Sequence, residues 1–134
     1  MRQNYRNVKV AVLGSGTVGS EVVHRLLTER EELGQRIGAE LDVVGVAVRD
    51  TSKPRNQAIP TELLTTEAEA LVTGAAIVVE LMGVIEPAKS LILRALESGA
   101  DVISANKALL AAHGPELFDT AAKVGAQLYY EAAV

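Results

Sequence analysis

The sequence contains no cysteine, which excludes disulfide bonds, thiolate metal sites and a cysteine nucleophile. Aromatic residues are also scarce, at 3% of the chain, and tryptophan is absent. Alanine, valine and leucine are instead abundant, and such side chains are typical of helices packed against a buried parallel sheet. We therefore expect an α/β protein.

Long apolar runs are missing as well. None approaches the roughly 20 residues of a membrane-spanning helix, and the opening MRQNYR is polar, unlike a signal peptide. The net charge is −4 and basic residues do not cluster, which argues against a nucleic-acid partner. These observations do not exclude a small anionic ligand. We expect a single cytoplasmic domain over residues 1–134, with neither a membrane nor a nucleic-acid partner.

Short runs, of which residues 8–13 and 41–48 are rich in valine, alternate with amphipathic segments along the chain. The runs predict strands at residues 8–13, 41–48, 76–81, 101–104 and 127–131. The amphipathic segments predict helices at 18–34, 66–72, 86–98 and 106–124. A capping box at 66–69 opens the second of these helices, and residues 113–116 break the last one. Residues 49–65 are predicted to form a long loop with a helical turn after residue 60. This order predicts a single doubly wound, Rossmann-like parallel sheet that binds ligands at the carboxyl ends of its strands.

A glycine-rich segment, GSGTVG, lies between the first predicted strand and the first helix. Gly14 permits a tight turn, Gly16 lets the backbone approach a pyrophosphate, and Gly19 lets the helix pack close to the strand. The predicted pyrophosphate site comprises Gly14, Ser15, Gly16, Thr17, Val18 and Gly19, with the amides and dipole of the helix start holding the charge. A turn without a ligand is the alternative, but three glycines cost conformational entropy that a simple turn would not need.

The residues at the end of the second predicted strand would lie next to the adenosine half of a bound dinucleotide. The acidic residue expected about 20 residues after the glycine motif is missing, and Arg49 and Asp50 follow the strand instead. An arginine pairs with a 2′-phosphate, whereas a carboxylate accepts hydrogen bonds from ribose hydroxyls. Arg49 therefore favours NADP, and Asp50 keeps NAD open. A solvated charge at a loop edge is an equally good interpretation of each residue alone.

Two further segments follow predicted strands at the same edge. The first, LMGVIEP, contains Met82 and would pass the nicotinamide half; Gly83 there fits a close backbone approach or an ordinary turn. The second places Lys107 in the first turn of a helix, where a positive charge is electrostatically unfavourable. This placement indicates donation to a substrate oxygen or cofactor, although a solvated lysine next to a capping Asn106 is also consistent with the sequence.

Read in order, the segments VLGSGTVGSEV, VELMGVIEPA, ISANKALLA and YYEAAV resemble the N-terminal nucleotide-binding domain of homoserine dehydrogenase. The resemblance covers nearly the whole chain, and ANKALLA and EAAV are far more specific than the glycine pattern. Members of this family interconvert homoserine and aspartate 4-semialdehyde with NAD or NADP, on the route to threonine, methionine and isoleucine.

The resemblance implies roles for particular residues. The segment 14–19 would hold the pyrophosphate, Arg49 would meet the adenosine end, and Met82 would border the nicotinamide ribose. Lys107 would lie between the nicotinamide and the substrate and assist catalysis. The backbone carbonyls of Glu131 and Val134 would form part of a sodium site. Val84 is a departure, because the family often has a glycine there.

The family's later catalytic domain, which carries the main acid/base residues and the principal dimer contacts, has no counterpart in this sequence. We therefore expect a fragment of a homo-oligomeric enzyme that binds the dinucleotide but does not turn over substrate. Two alternatives stay open: the cofactor domain of another amino-acid or semialdehyde dehydrogenase, and a non-catalytic dinucleotide-sensing module.

Overall fold

The computed structural model describes residues 6–14, 17–29, 31–32, 35, 39–49 and 59–130. Strands and helices alternate along these residues. In chain order the elements are β1 (Arg6–Leu13), α1 (Thr17–Thr28), β2 (Ala39–Ala47), a 3-10 turn (Thr61–Leu63), β3 (Leu64–Thr65), α2 (Ala68–Thr73), β4 (Ile77–Glu80), α3 (Ala88–Glu97), β5 (Asp101–Ser104), α4 (Lys107–Val124) and β6 (Leu128–Tyr130). No helix in this part of the chain is both long and apolar enough to cross a membrane.

The strands form one parallel sheet in the order β3-β2-β1-β4-β5-β6. The chain builds outward from β1 in one direction and then from β4 in the other, which is the doubly wound arrangement of Rossmann-type sheets. The predicted fold class is therefore confirmed. All the strands end on one side of the sheet, which we call the carboxyl edge; its central part begins at the residues that follow β1, β2, β4 and β5, namely Gly14, Val48, Leu81 and Ala105.

The central strand β1 is buried on both faces. Val12 and Leu13 are consecutive and completely buried, and they point to opposite faces because side chains alternate along a strand. Leu13 joins a core cluster that contains Ile92 of α3 and Leu117 of α4. Val12 packs with Val23 of α1. Helices on both faces thus hold the end of β1 in place at the carboxyl edge.

The predicted strands agree with the structure to within two residues at each described end, and residues 101–104 agree at both ends. The prediction of a helix break at residues 113–116 is wrong, because α4 continues through Pro115 to Val124. Leu109 and Leu117, on either side of the proline, are both completely buried in the same core cluster. The free energy gained by burying these two leucines outweighs the cost of the helix hydrogen bond that proline, which has no N–H, cannot make. The prediction that the first helix extends to Gly34 is wrong, because α1 ends at Thr28 and Glu29 is not helical; Gly34 itself lies outside the described residues.

Residues 59–73 differ in detail from the prediction. The helical turn after Pro60 is confirmed as the 3-10 turn, but Leu64 and Thr65 also form β3, which pairs with the end of β2. The predicted capping box is wrong, because α2 begins at Ala68 and its N-cap, Glu67, makes no side-chain cap hydrogen bond. The Thr65 hydroxyl oxygen instead accepts from the Glu67 N–H at 2.9 Å. The strand that ends at Thr65 therefore shifts the helix start.

Candidate functional site

The end of β1 turns at Gly14, and two constraints require glycine there. Its φ is +97°, a backbone conformation that side-chain-bearing residues rarely adopt. A Cβ at this position would lie 3.3 Å from the carbonyl oxygen of Leu81. The Gly14 N–H donates to the carbonyl of Ala47 at 2.9 Å, and the Leu81 N–H donates to the carbonyl of Leu13 at 3.0 Å. Gly14 is thus fixed between the ends of β2 and β4, next to the switch point of the sheet.

Helix α1 starts at Thr17, directly beyond this turn. The first amides of a helix have no carbonyl partner within it, and they carry the positive end of the helix dipole. The backbone of Thr17, Val18 and Gly19 forms this first turn, which holds no acidic residue. Ser15 and Gly16 lie outside the described residues. The described backbone therefore presents the amino terminus of α1 at the carboxyl edge, as the glycine pattern predicts.

Arg49 lies two residues beyond β2, at the same edge, and is exposed. The preceding Val48 N–H donates to the carbonyl of Thr65 at 2.8 Å, which fixes the chain between β2 and β3. The guanidinium is thus available to an anion at the β2 end of the sheet. Asp50, the residue that keeps NAD open, lies outside the described residues.

The segment that follows β4 bends at Gly83, whose φ is +75°. A Cβ there would meet no described atom within 4 Å, so the backbone conformation alone accounts for this glycine. Val84 and Ile85 are exposed at 36% and 38%. Next along the chain, hydrogen bonds from the side chain and backbone N–H of Ser90 lower the pKa of the Glu86 carboxyl. Met82 therefore precedes an exposed apolar turn at the carboxyl edge.

Helix α4 begins with Lys107 at the end of β5. Asn106 is its N-cap, and the Asn106 Oδ1 accepts from the Leu109 N–H at 3.1 Å. The capping role expected for Asn106 is therefore confirmed. Lys107 is exposed, and no carboxylate of the described residues forms a salt bridge with its ammonium group. Its charge is thus available to a ligand beside the ends of β4 and β5.

A buried polar network joins these last two segments, and the sequence interpretation missed it. Glu80, Ser104 and Asn106, which we call the Glu80 network, are 0%, 0% and 2% exposed. The Ser104 hydroxyl donates to Glu80 Oε1 at 2.7 Å. Glu80 Oε2 accepts from the Met82 N–H at 2.9 Å and from Asn106 Nδ2 at 3.1 Å. The buried carboxylate thus has donors on both oxygens.

Asn106 extends the network to the turn after β4. Its Nδ2 donates to the carbonyl oxygen of Val84 at 2.7 Å, and its backbone N–H donates to the Ser104 hydroxyl oxygen at 3.1 Å. No buried side-chain nitrogen or oxygen among the described residues lacks a partner. The sequence carries only part of the signal for this network: Glu80 and Ser104 are polar residues at strand ends, but their pairing in the sheet register is seen only in the structure.

Comparison with known proteins agrees with this geometry. The family profile described as the homoserine dehydrogenase NAD-binding domain matches residues 14–131. The chain belongs to this family. The homoserine dehydrogenase of Corynebacterium glutamicum is 52% identical over 130 residues, which are 95% of this chain and 29% of that protein.

Solved homoserine dehydrogenases have the same fold. The Staphylococcus aureus structure at pH 7.5 matches with a TM-score of 0.87 and 36% identity, over 96% of this chain and 34% of that chain. A hyperthermophilic archaeal homoserine dehydrogenase in complex with NADPH matches with a TM-score of 0.72 over 93% of this chain and 44% of that chain. At 22% identity, this last likeness shows the fold alone.

The chain therefore corresponds to the NAD-binding domain of homoserine dehydrogenases and spans about 29% of the length of the Corynebacterium relative. The family predicted from the four sequence segments is confirmed. Of the predicted site residues, the structure brings Gly14, the backbone of 17–19, Arg49, Met82 and Lys107 to one edge of the sheet. The predicted sodium ligands Glu131 and Val134 lie outside the described residues.

The described residues also form a groove away from the carboxyl edge. It has a volume of about 850 Å³, runs between α2 and α3, and is lined by side chains that include Glu67, Glu69, Arg94 and Glu97. None of the predicted site residues lines it. Its acidic lining does not suit the phosphates of a dinucleotide, so the carboxyl edge remains the candidate site of this homoserine dehydrogenase domain.

Proposed function

We propose that this chain binds its dinucleotide along the carboxyl edge, with the pyrophosphate against the Gly14 turn and the first turn of α1. The observation that carries the proposal is the turn itself: Gly14 has a φ of +97°, lies against the backbone of Leu81, and is followed three residues later by the amino terminus of α1. Helix amides with no internal partner then supply donors to the phosphate oxygens. The residues present thus fit an anionic cofactor at this position.

We further propose that the dinucleotide runs across the switch point from β2 to β5. Arg49 would hold the adenosine end and favour NADP through a 2′-phosphate, with NAD as the alternative. Met82 would border the nicotinamide ribose, and Lys107 would lie where the nicotinamide meets the substrate. The support is that these residues follow β2, β4 and β5 respectively, on both sides of the Gly14 turn.

For the whole protein, we propose the activity of its relatives: interconversion of L-homoserine and L-aspartate 4-semialdehyde. The nicotinamide supplies the hydride chemistry when bound. Lys107 assists by donating to the substrate oxygen, which favours negative charge on that oxygen. Residues 1–134 would form the NAD(P)-binding domain of a longer, homo-oligomeric, cytoplasmic enzyme, with a sodium ion at Glu131 and Val134. We expect no turnover by this chain alone.

Titration of the chain with NADPH and NADH tests the cofactor proposal. The fluorescence of the reduced nicotinamide reports binding, and circular dichroism confirms that the chain is folded. We expect both to bind, NADPH more tightly. A folded chain that binds neither would contradict the proposed site.

Arg49→Gln tests the preference for NADPH. The substitution removes the charge that would pair with the 2′-phosphate, so we expect the affinity for NADPH to fall about tenfold, the effect of losing a charge-assisted hydrogen bond. The affinity for NADH should not change. Arg94→Gln is the matched control, because Arg94 is also exposed but lies on α3 in a long contact with Glu69. An equal loss for both dinucleotides in Arg49→Gln would contradict the assigned role.

A further inference from the structure

The Glu80 carboxylate ends a buried strand and is itself completely buried. Burial of a carboxylate costs free energy unless hydrogen bonds compensate, and an apolar residue often stabilises such a position as well or better. The neighbouring positions Val78 and Val102 are apolar and equally buried. A carboxylate at this strand end therefore indicates a requirement beyond core packing.

The partners of Glu80 come from two segments that reach the carboxyl edge separately. The Met82 N–H lies in the turn after β4, and the Ser104 hydroxyl and Asn106 amide lie at the end of β5 and the start of α4. Within the described part of the chain, the backbone of residues 82–84 makes two hydrogen bonds, one to Glu80 and one to Asn106. The Glu80 network thus fixes this turn relative to the helix start that bears Lys107.

We propose that Glu80 is a positioning residue for the nicotinamide half of the cofactor, an inference that rests on the proposed function. Glu80 holds the turn at Met82 and the amino terminus of α4 in one geometry, so that both contact the same end of the dinucleotide. It touches neither the cofactor nor the substrate. The adenosine half, which lies toward β2, does not depend on the network.

The chemistry of the network requires a carboxylate rather than an amide. Glu80 Oε2 accepts two N–H donors, so a glutamine at this position would have to place its oxygen there. Its NH₂ group would then face the Ser104 hydroxyl, which also accepts from the Asn106 N–H. The Ser104 O–H would lose its acceptor, and the hydrogen bonds that remain would lose their charge assistance. Glu80→Gln therefore loosens the network while it keeps the size of the side chain.

The test compares two ligands, NADPH and 2′-phospho-ADP, which has the adenosine half and the pyrophosphate but neither the nicotinamide nor its ribose. For Glu80→Gln we expect the affinity for NADPH to fall about tenfold, while the affinity for 2′-phospho-ADP stays within about twofold of the wild-type value. A general loss of structure would weaken both ligands. The ratio of the two dissociation constants therefore separates positioning from folding.

Val78→Ala is the matched control, since Val78 is completely buried two residues earlier on β4. We expect it to lower the melting temperature and to leave the ratio of the two affinities unchanged. If Glu80→Gln does not fold, Ser104→Ala replaces it. This variant keeps the carboxylate and removes the two hydrogen bonds of the Ser104 hydroxyl, one to Glu80 and one from the Asn106 N–H; the same selective loss, of a few-fold, is expected.

Three outcomes would overturn the inference. They are an equal loss of both ligands in Glu80→Gln, unchanged affinity for both, and a selective loss in Val78→Ala. If the wild-type chain binds neither ligand, the proposed cofactor site fails, and the inference fails with it. If the wild type binds both ligands and the ratio of the two dissociation constants is unchanged in Glu80→Gln or its replacement Ser104→Ala, the cofactor site stands and the positioning role of Glu80 is wrong.

Discussion

Single residues at the carboxyl edge meet several constraints at once. Gly14 combines a left-handed backbone with a close approach to the carbonyl of Leu81. Gly83 and Gly99 share the positive φ, but a Cβ on either would meet no described atom within 4 Å. Backbone conformation is thus common to all three positions, whereas the close approach of another strand end belongs to Gly14.

Gly14→Ala and Gly99→Ala separate these two effects. Both glycines have a φ of +97°, so both substitutions cost backbone strain of about 1–2 kcal/mol. Only the methyl group added at position 14 would press against the backbone of Leu81, at the edge where the pyrophosphate is proposed to bind. We expect NADPH binding to weaken at least about tenfold in Gly14→Ala and to be unchanged in Gly99→Ala, measured by the same fluorescence titration. Equal losses in the two variants would show that strain, not the close approach to Leu81, explains the effect.

Among the elements, helix α4 shows how tertiary packing overrides a local signal. Pro115 removes one helix hydrogen bond and would disfavour the preceding turn, at a cost of about 3 kcal/mol in a helix interior. The carbonyl that loses its partner belongs to Ala111, which is exposed, so water can satisfy it. Leu109, Leu117 and Ala121 meanwhile pack into one core cluster along the helix. The two halves stay aligned because both are bound to the same sheet.

Leu117→Ala tests this account of α4. Leu117 is completely buried, and removal of such a side chain costs about 2–5 kcal/mol of unfolding free energy. Phe118 is its neighbour on the same helix but is 44% exposed, so Phe118→Ala should cost under about 1 kcal/mol. Urea denaturation measures both values. If the two variants lost similar stability, burial of one helix face could not be what keeps α4 continuous.

All the described strands except β3 could be predicted, because each carries a local signal. Residues 8–13 are a valine-rich run that ends at Gly14, and residues 101–104 place Val102 and Ile103 between polar ends. The two residues of β3 are too few to show a period, so their strand character depends on pairing with Val46 and Ala47. The helix through Pro115 depends likewise on contacts made elsewhere in the chain.

The candidate site could likewise be predicted only in part from the sequence. Its glycine turn, Arg49, Met82 and Lys107 follow predicted strands, so topology alone places them at one edge. The Glu80 network could not be predicted, because it depends on the register that pairs Glu80 with Ser104 across 24 positions of sequence. Composition and periodicity describe neighbours along the chain, not which polar strand ends meet.

The whole molecule forms its ligand edge only when the sheet is complete. The predicted contacts extend from Gly14 to Lys107 and involve four strands, none of which forms a surface for the dinucleotide alone. Binding should therefore be linked to global folding rather than to the order of one loop. A ligand that binds only the folded chain raises its stability in proportion to the logarithm of the ligand concentration.

This linkage predicts a concentration-dependent melting temperature. At 100 times its dissociation constant, NADPH should add about 2.7 kcal/mol to the unfolding free energy. For a domain of this size, the melting temperature should then rise by roughly 10 °C. Differential scanning calorimetry measures the shift. In Gly14→Ala, binding that is at least about tenfold weaker should reduce the added free energy at the same NADPH concentration to about 1.4 kcal/mol or less, so that the shift is at most about half of the wild-type shift. A wild-type melting temperature that does not respond to NADPH would argue against a site built from the whole sheet.

The doubly wound topology also separates loops whose length is constrained from loops whose length can change during evolution. The turns after β4 and β5 are joined through Glu80, and the proposed cofactor would contact both of them and the turn after β1. The connections before β4, β5 and β6, at residues 74–76, 98–100 and 125–127, lie at the opposite edge. Among descendants of one ancestral domain, insertions and deletions should therefore accumulate at these three connections, while the turns after β1, β4 and β5 keep their length.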